Sequence, residues 1–529
     1  MLVVGHELIS DLVTLVRAGY PLPACSWFDT NVAASWLYPG EDHSLESLAL
    51  RKTPMGQWRK TLGKLKPDDF ESMSDDELAQ RCGGDAEGAL RLYPIYQAEL
   101  EQTGFQRIWS LAMDMLPILA EIGGIGMAVD VHELEKRERR TRKWLAREKA
   151  SLEQEFGINN LNSHEQLAEA LFTRHGATHL HKTTKGYSTD RTALLWARYQ
   201  AQRSGQTDLA TRLSRVLDYG VQSKLHSTYY KGWLEALGTG QRIHSYYSLG
   251  RTSTGRLSSY NVNLQNIPDK ARELIVPSEG YDFILQADSA QIEWRVAAHL
   301  TGDRLMKQWI VEEKDAHSIV AARVAGLPEP QTKEEFEWFK IEHKFERDIG
   351  KMSNFAVLYI VSGESLSWQI FKMSDGVNWI SPDDAQEYID AFFETFTGYR
   401  DHISNVWYAL HRKERIRSPF GRWWKLPPTA EGWRKACNYP VQGTASDLIL
   451  LILRAIVREL RRRKMKSRVI GEVHDSVILE VTKRELSDVI QIVRHAFVHP
   501  DTSQFGFKLS VPLAVECSYG TNLAQLEPI

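Results

Sequence analysis

Two aspartates beside apolar runs are the first candidates for chemistry in this sequence. Asp288 follows the run Phe283–Leu285, and Asp475 interrupts the strand-like alternation of GEVHDSVILEV, residues 471–481. A carboxylate that ends a buried strand is costly unless its charge has a partner. If the two strands lie in one sheet, both carboxylates can reach the same edge. Mg²⁺ prefers one or two carboxylates together with waters and substrate phosphates, so we expect a divalent metal site at this edge.

Four side chains in the stretch KFERDIGKMSNFAVLYIVSG recur every four residues, and they are Arg347, Lys351, Phe355 and Tyr359. At about 3.6 residues per turn, this spacing predicts one slowly drifting face of a helix. Two cations followed by two aromatic rings could hold a nucleotide, with the cations on its phosphates and the rings against its sugar and base. Taken alone, the stretch also fits an amphipathic helix with solvated cations and core aromatics.

Length and composition place these stretches in an ordinary globular chain. The 529 residues leave room for several domains, and the hydrophobic and charged fractions are 43% and 25%. The net charge of −3 gives no indication of a nucleic-acid-binding protein. Any basic residues that bind DNA must therefore be concentrated on one part of the surface. The cysteines are scattered without metal spacing, which favours free thiols. No uninterrupted apolar run is long enough to cross a bilayer and no targeting signal is evident, so we expect a cytoplasmic protein without a membrane partner.

Further motifs surround these stretches in a fixed order. RTSTGRLSSYNVNLQNIP occupies residues 251–268, SPFGRWWKLPPT occupies residues 418–429, and WRKACNYPVQGTASDLILLILRAIVREL occupies residues 433–460. A Walker-type phosphate loop is excluded because no GKS or GKT occurs. Together with the aspartate strands and the four-residue repeat, these motifs resemble family A DNA polymerases, the group typified by bacterial DNA polymerase I. The resemblance runs from about residue 122 to the C-terminus.

The resemblance implies an α+β fold in the shape of a right hand, with palm, fingers and thumb, preceded by a partial exonuclease-like α/β domain. The palm would be an antiparallel sheet that carries Asp288 and Asp475. The expected ranges are 1–120 for the exonuclease-like part, 121–245 for the thumb, 246–300 and 396–529 for the palm, and 301–395 for the fingers. The thumb would track DNA phosphates with basic residues that could equally form a solvated helix face: Arg137, Arg139, Arg140, Arg142, Lys143, Lys182, Lys185 and Lys224.

The resemblance also implies roles for individual residues. The catalytic group would be Asp288, Asp475 and Lys351, with the two aspartates binding metal. The nucleotide would be bound by Arg347, Lys351, Phe355, Tyr359, Gln291, Glu293 and His317. The DNA would be contacted by Arg256, Arg434, Asn438, Gln442 and His474. Arg256 and Gln442 would read the minor groove, whose acceptors cannot distinguish A·T from T·A but do report the width of a pair. The motif around Arg256 argues against a merely structural ion pair for that residue.

The sequence departs from the family pattern at two of these motifs. Ser476 stands where many relatives have an acidic residue, so a third carboxylate is lost there. Ala356 and Ile360 stand where glycine is usual, which affects the bending or close packing of the nucleotide helix. Phe355, where some relatives have tyrosine, implies discrimination against dideoxynucleotides.

The implied reaction is template-directed addition of a dNTP to a primer 3′-OH with release of pyrophosphate. Two Mg²⁺ ions would serve it, with Mn²⁺ able to substitute. The implied partners are primer–template DNA and dNTP, and Glu293 would exclude a 2′-OH. Two alternatives stay open: a single-subunit RNA polymerase and a DNA-binding relative without catalysis. The TGRLSS stretch and Glu293 argue against the first, and the joint presence of the catalytic residues argues against the second.

The first 120 residues resemble the middle of a proofreading 3′–5′ exonuclease domain. Asp11 and Asp85 fall where that domain has metal-binding aspartates, but its first Asp-x-Glu motif is absent. Glu7 stands where asparagine is usual, and Arg81 stands where tyrosine is expected. Two-metal hydrolysis needs several carboxylates, so we expect a structural remnant without proofreading. The alternative is that the sequence is truncated or that a separate polypeptide completes the domain.

Overall fold

The structure is a computed structural model that describes residues 1–58, 72–184 and 186–529. Lys185 therefore lies outside the described residues. The first helices are Leu8–Arg17 (α1), Thr30–Leu37 (α2), Leu45–Lys52 (α3), Asp75–Thr103 (α4), Gln106–Ile125 (α5), Val131–Phe156 (α6), His164–Ala168 (α7), Arg191–Arg203 (α8), Thr207–Lys224 (α9), Gly232–Leu237 (α10) and Asp269–Arg272 (α11). The later ones are Ile292–Thr301 (α12), Arg304–Val311 (α13), Ala316–Val324 (α14), Lys333–Glu342 (α15), Lys344–Val357 (α16), Gly363–Met373 (α17), Pro382–Thr395 (α18), Thr397–His411 (α19), Ala430–Arg462 (α20) and Leu486–Val498 (α21).

Short helices of other types and the strands complete the chain. π-Helical turns lie at Glu169–Arg174 and Leu225–Lys231, and 3₁₀ turns lie at Leu264–Asn266 and Ser503–Phe505. The strands are Leu2–Gly5 (β1), Ser26–Asp29 (β2), Met127–Ala128 (β3), Lys182–Thr183 (β4), Gly186–Tyr187 (β5), Arg242–Ile243 (β6), Tyr246–Ser248 (β7), Ser258–Tyr260 (β8), Phe283–Ser289 (β9), Ile416–Arg417 (β10), Trp423–Trp424 (β11), Arg468–Val473 (β12), Ser476–Val481 (β13), Val515–Gly520 (β14) and Glu527–Pro528 (β15).

The central sheet brings together the strands that carry the two candidate aspartates. Its order is β12–β13–β9–β14–β15, and every neighbouring pair is antiparallel. Side chains alternate between the two faces of each strand. Leu285 and its neighbours on that face join the large core that includes α5 and α20, whereas Ile284 joins a smaller cluster on the opposite face. The sequence prediction of an antiparallel sheet with strands at both aspartates is confirmed.

The segment from α6 to α10 is anchored at its base and has a second core farther out. At the base, Leu134 and Trp233 pack in the same cluster as Ile284 of the sheet. The outer cluster is built from the end of α6, the π-helical turn after α7, and helices α8 and α9. Most of this segment is helical, and the small hairpin β4–β5 lies between the π-helical turn after α7 and helix α8.

The first 125 residues pack directly onto the rest of the chain. This part begins with strand β1 and helix α1, which are followed by strand β2 and helices α2 and α3. Strands β1 and β2 pair in parallel, which the sequence did not predict. Helix α5 crosses residue 120, where the sequence predicted a domain boundary, and it contacts both α1 and α20.

A buried ion pair contributes to this attachment. The Arg422 Nε donates to both carboxylate oxygens of Asp447 at 3.0 and 2.9 Å, and both side chains are buried. The guanidinium also lies 4.1 Å from the ring centroid of Trp36 in α2. Burial raises the pKa of Asp447 to about 6, and the neighbouring Arg422 opposes that rise. Arg422 thus joins helix α20 to the front of the chain.

Among the residues that the structure describes, two helices have the length and composition of a membrane span. They are α5 and α20, and 67% and 83% of their most apolar windows are buried inside the protein. Both pack against one another and against the sheet as central core helices. Their apolar character is therefore accounted for by packing within the fold.

Candidate active site

The two aspartates meet at one edge of the central sheet. Asp288 on β9 is directly opposite Ser476 on β13, and Asp475 lies in the tight turn that precedes Ser476. The turn is closed at His474, whose backbone is left-handed with φ 58°. The Ser289 N–H donates to the Asp475 carbonyl at 3.1 Å, which fixes this turn against β9. The sequence prediction that both carboxylates reach one edge agrees with this geometry.

The electrostatics of this edge suit a divalent cation. Loss of water around Asp288 raises its pKa to about 6, and repulsion from Asp475 and Glu516 adds to the rise. Burial also raises the pKa of Asp475, although Arg256 opposes that shift. A bound cation would relieve the repulsion between these carboxylates. The carboxylate oxygens of Asp288 and Asp475 therefore suit Mg²⁺, for which waters and substrate phosphates would supply the remaining ligands.

In the part of the chain that the structure describes, the protein offers no metal-binding cluster larger than this pair of aspartates. Among residues 1–58, 72–184 and 186–529, no group of three or more His, Cys, Asp or Glu side chains is arranged to hold an ion. Ser476 does not replace the lost carboxylate, because its hydroxyl is buried and donates to the Val473 carbonyl at 2.9 Å. Glu516 on β14 faces Asp288 from the other neighbouring strand.

Helix α16 carries Arg347, Lys351 and Phe355, which are three of the four residues of the predicted helix face. Lys351, Phe355 and Tyr359 line a cavity of about 840 Å³ between α16 and α17. Tyr359 does not lie on the helix, contrary to the predicted four-residue face. The helix ends at Val357 and continues as a turn in which each N–H bonds three residues back. The turn ends at Ile360 with φ 52°, a strained conformation for a β-branched residue.

Arg347 lies to the side of that cavity and is held by an acidic partner. Its Nε donates to the Asp315 Oδ2 at 2.8 Å, and both side chains are mostly buried. Asp315 also caps α14 by accepting from the His317 N–H at 3.1 Å and from the Ser318 hydroxyl at 2.9 Å. Only the Nε of Arg347 is used in the bond to Asp315, so this contact leaves the two terminal nitrogens for another ligand.

His317, which the family resemblance places near the triphosphate, is buried in this structure, and that role stays a prediction. Its side chain is 3% exposed, and its ring nitrogens lie 3.0 Å from the Asn354 amide and 3.3 Å from that of Gln291. Burial lowers its pKa to about 4, although Asp315 opposes the shift. The ring is therefore neutral at pH 7, and it packs beside Phe355 at a centroid distance of 5.5 Å. In this structure His317 supports α16 and carries no charge for a phosphate.

Contacts of Glu293 join the acidic edge of the sheet to the turn that follows α16. Arg256 forms an ion pair with Glu293, and the Tyr359 hydroxyl donates to a Glu293 oxygen at 3.0 Å. Asp475 and Arg256 also attract each other electrostatically. Arg256 is thus ion-paired with Glu293, which is buried beside it at 6% exposure. The predicted contact of Arg256 with the minor groove stays a prediction.

Most of the sequence matches the model of one known protein family. A family model for DNA polymerase family A matches residues 131–525, which is well over half of the chain. The chain belongs to DNA polymerase family A. The predicted family resemblance is confirmed.

Individual relatives extend the match of this family A chain beyond the family model. DNA polymerase I of Mycobacterium tuberculosis is 28% identical over 543 residues, which covers 97% of this chain and 55% of the relative. DNA polymerase I of Pseudomonas aeruginosa is 30% identical and covers 98% and 56%. DNA polymerase I of Bacillus subtilis is 27% identical and covers 93% and 54%. The chain thus spans about half the length of these curated relatives.

A solved structure shows the same architecture. The POL domain of Pol1 from M. smegmatis, in complex with DNA primer–template and dNTP, superposes with a TM-score of 0.79 at 26% identity. The match covers 98% of this chain and 85% of the other. The predicted α+β right-hand fold is confirmed.

The predicted DNA-contacting residues of this family A chain occupy different surroundings. His474 and Arg434 are exposed, and Gln442 is half-buried beside the Tyr359 hydroxyl. Asn438 is instead buried, and its amide donates to the Leu358 carbonyl at 3.4 Å. The amide of Asn438 therefore supports the turn after α16, and its predicted position beside the template stays a prediction. The other contacts stay predictions.

Asp11 and Asp85 line one cavity of about 1170 Å³ at the front of the molecule. Burial and the nearby Glu7 raise the pKa of Asp11. The Trp58 Nε1 donates to Asp85 at 2.8 Å. Glu7 accepts from Arg251 at 3.0 Å and from the Tyr260 hydroxyl at 3.1 Å. Glu7, which stands where the exonuclease pattern has asparagine, thus attaches the front of the chain to the β8 region.

Three acidic residues of the site were missed by the sequence reasoning. Glu516 lies in a terminal strand whose alternation could have marked it as a polar position. Asp315 precedes α14 as a helix cap, but its pairing with Arg347 joins residues 32 apart. Glu472 is buried, accepts from the Gln265 amide at 2.7 Å, and has its pKa raised by burial to about 8. It is therefore largely protonated at pH 7, and no pattern in the sequence signals that state.

Proposed function

We propose that this chain is a template-directed DNA polymerase that adds dNTPs to a primer 3′-OH and releases pyrophosphate. The observation that carries the proposal is the contact of Arg256 and Tyr359 with Glu293. This contact places the acidic edge of the sheet beside the cavity lined by Lys351 and Phe355. A primer end at the edge and a nucleotide in the cavity would then be adjacent. Primer–template DNA and dNTP, which the M. smegmatis Pol1 complex contains, are the proposed ligands.

Asp288 and Asp475 are the proposed metal-binding and catalytic residues. Two divalent ions bound there, Mg²⁺ or Mn²⁺, would lower the pKa of the 3′-OH and stabilise charge on the leaving pyrophosphate. Lys351 and Arg347 would neutralise charge that develops on the phosphates. Phe355 and Tyr359 would contact the sugar and base, and Glu293 would exclude a 2′-OH. Movement of α16 would test the shape of the new base pair before chemistry.

The proposed domains follow the sequence ranges. The front part is 1–120, the thumb 121–245, the palm 246–300 and 396–529, and the fingers 301–395. Arg256, Gln442, Arg434 and His474 are the proposed DNA contacts. A cytoplasmic location and a separate polypeptide that completes the front domain stay predictions.

We also propose that the front domain does not proofread. Two-metal hydrolysis requires several carboxylates that are free to hold ions. Glu7 is engaged by Arg251, and Asp85 by Trp58. Asp11 and Asp85 are therefore proposed as parts of a structural remnant that supports the polymerase.

Extension of a 5′-labelled primer, with Mg²⁺ and each dNTP, tests the proposal. We expect the primer to grow, and we expect Asp288→Ala to abolish growth. Asp208→Ala, which removes an exposed carboxylate of α9, is the matched control and should extend normally. Growth with rNTPs in preference to dNTPs would indicate an RNA polymerase. Primer binding without growth would indicate a non-catalytic relative, and shortening without dNTPs would overturn the remnant proposal.

A further inference from the structure

The outer part of the α6–α10 segment contacts the helix that follows α16. Trp196 of α8 has its ring centroid 5.4 Å from that of Trp368, 5.2 Å from Trp379 and 5.8 Å from Phe371. Phe371 of α17 is fully buried and belongs to the same cluster as the core of α8 and α9. Parts of the chain about 170 residues apart therefore share one hydrophobic cluster, which we call the aromatic latch.

Charged and backbone contacts surround the latch. The Arg191 guanidinium donates to the Asp375 carboxylate at 2.5 Å, and Arg198 donates to the carbonyl of the same residue. Gly376 follows with φ 71°, and a Cβ there would lie 3.1 Å from the Cβ of Leu195. The turn after α17 thus lies directly against α8.

These contacts close a ring. The α6–α10 segment is anchored on the central sheet through Leu134 and Trp233. On the other side, α17 forms the wall of the proposed nucleotide cavity, and that cavity adjoins the acidic edge through Tyr359 and Glu293. The chain therefore forms a continuous ring, which runs from the sheet through the α6–α10 segment, crosses the latch and returns through α17. The acidic edge lies at the base of this ring.

The composition of the latch suits a contact that opens. The Arg191 and Asp375 side chains are both about half exposed, at 52% and 55%, so their ion pair adds little stability. Most of the attraction must come from the aromatic rings, and Trp196, Trp368 and Trp379 are only partly buried. Apart from the buried Phe371, the rings that meet across the latch are therefore partly reached by solvent, which suits a contact that opens and closes.

We propose that the aromatic latch closes the thumb and fingers segments around bound primer–template DNA and opens to admit it. This inference rests on the proposed polymerase function and adds to it a device that retains DNA between additions. Encirclement prevents dissociation while leaving sliding free. The polymerase would then add many nucleotides per binding event without a separate clamp protein.

A reversible cross-link tests encirclement directly. Leu195→Cys with Gly376→Cys places the two Cβ atoms 3.1 Å apart, so they must separate by a few tenths of an ångström to reach the roughly 3.5–4.5 Å of disulfides. Cys25 and Cys82, the two cysteines that are not buried, are replaced by serine to prevent other pairings. The substrates are a primed closed-circular single strand and a linear primer–template with the same duplex end. Each single-cysteine variant and reduction with dithiothreitol serve as controls.

If the latch encircles DNA, enzyme oxidised before mixing extends the linear primer but not the circular one. Enzyme oxidised after loading stays on the circle through a salt wash that removes reduced enzyme. Equal extension of both substrates by the pre-oxidised enzyme would overturn the proposal. So would extension of neither, since the closed ring would then exclude DNA. A reduced enzyme that extends nothing would instead refute the polymerase function.

A second variant keeps the test decisive if the disulfide does not form. Trp196→Ala removes the central ring of the latch, and Trp338→Ala removes an exposed tryptophan of α15 as a matched control. With excess unlabelled DNA as a trap, we expect Trp196→Ala to lower the nucleotides added per binding event by about tenfold. The rate of the first addition at saturating DNA should not change. An unchanged number of additions per event would contradict the proposal.

Discussion

The pairing of Asp315 with Arg347 makes the sharpest prediction about nucleotide binding. Asp315→Asn keeps the size of the side chain and leaves an amide oxygen that can still cap α14 at the His317 N–H. It removes the negative charge that holds the Arg347 Nε at 2.8 Å. Arg347 would then lose the orientation that leaves its terminal nitrogens for a triphosphate. We therefore expect weaker dNTP binding and little change in folding.

The magnitude follows from the burial of the pair. Asp315 and Arg347 are 12% and 21% exposed, so solvent screens their contact only partly. A hydrogen bond to a charged group contributes about 1.5–3 kcal/mol, and each 1.4 kcal/mol is about tenfold in an equilibrium constant. We expect the KM for dNTP to rise by roughly 10- to 100-fold if most of that energy orients Arg347. The maximal rate should fall less.

Single-nucleotide addition on a fixed primer–template, measured over a range of dNTP concentrations, separates the two parameters. Ser318→Ala is the matched control, because it removes a hydroxyl that donates to the same carboxylate and leaves the ion pair intact. It should leave KM nearly unchanged. An unchanged or lower KM for Asp315→Asn would refute the reasoning, since Asp315 would then compete with the triphosphate for Arg347.

Two further predictions concern the same fold. Glu293→Ala removes the partner of both Arg256 and Tyr359. We expect the preference for dNTP over rNTP, measured as the ratio of kcat/KM values, to fall by about tenfold or more. An unchanged ratio would contradict the proposed exclusion of the 2′-OH. Asp447 has a pKa of about 6 in the folded protein against an ordinary 3.8, so the folded state binds more protons between these values. The free energy of unfolding should lose about 3 kcal/mol from this group as pH rises from about 4 to above 6. Asp447→Asn should remove that part of the pH dependence in urea unfolding, and parallel pH profiles for the two proteins would show that another group is responsible.

Much of the fold and part of the site could be predicted from local patterns. The runs before Asp288 and around Asp475 predict strands because a short apolar stretch with period-two alternation suits a buried sheet. The spacing of Arg347, Lys351 and Phe355 predicts a helix face because side chains four apart lie on one side. Such patterns depend only on neighbours in the chain. The sequence reasoning failed at Tyr359, where the helix ends two residues earlier and a strained turn takes over.

What the sequence by itself determined is therefore the strands that carry the two aspartates, the helix that carries Arg347, Lys351 and Phe355, and membership of the family. Tertiary structure alone decided which charges meet. The partners of Arg256 and Arg347, the approach of Glu516 to Asp288, and the latch at Trp196 all join residues that no local period relates. Strand register and helix packing set these distances. The resulting burial then decided that His317 is neutral and that the chain closes into a ring.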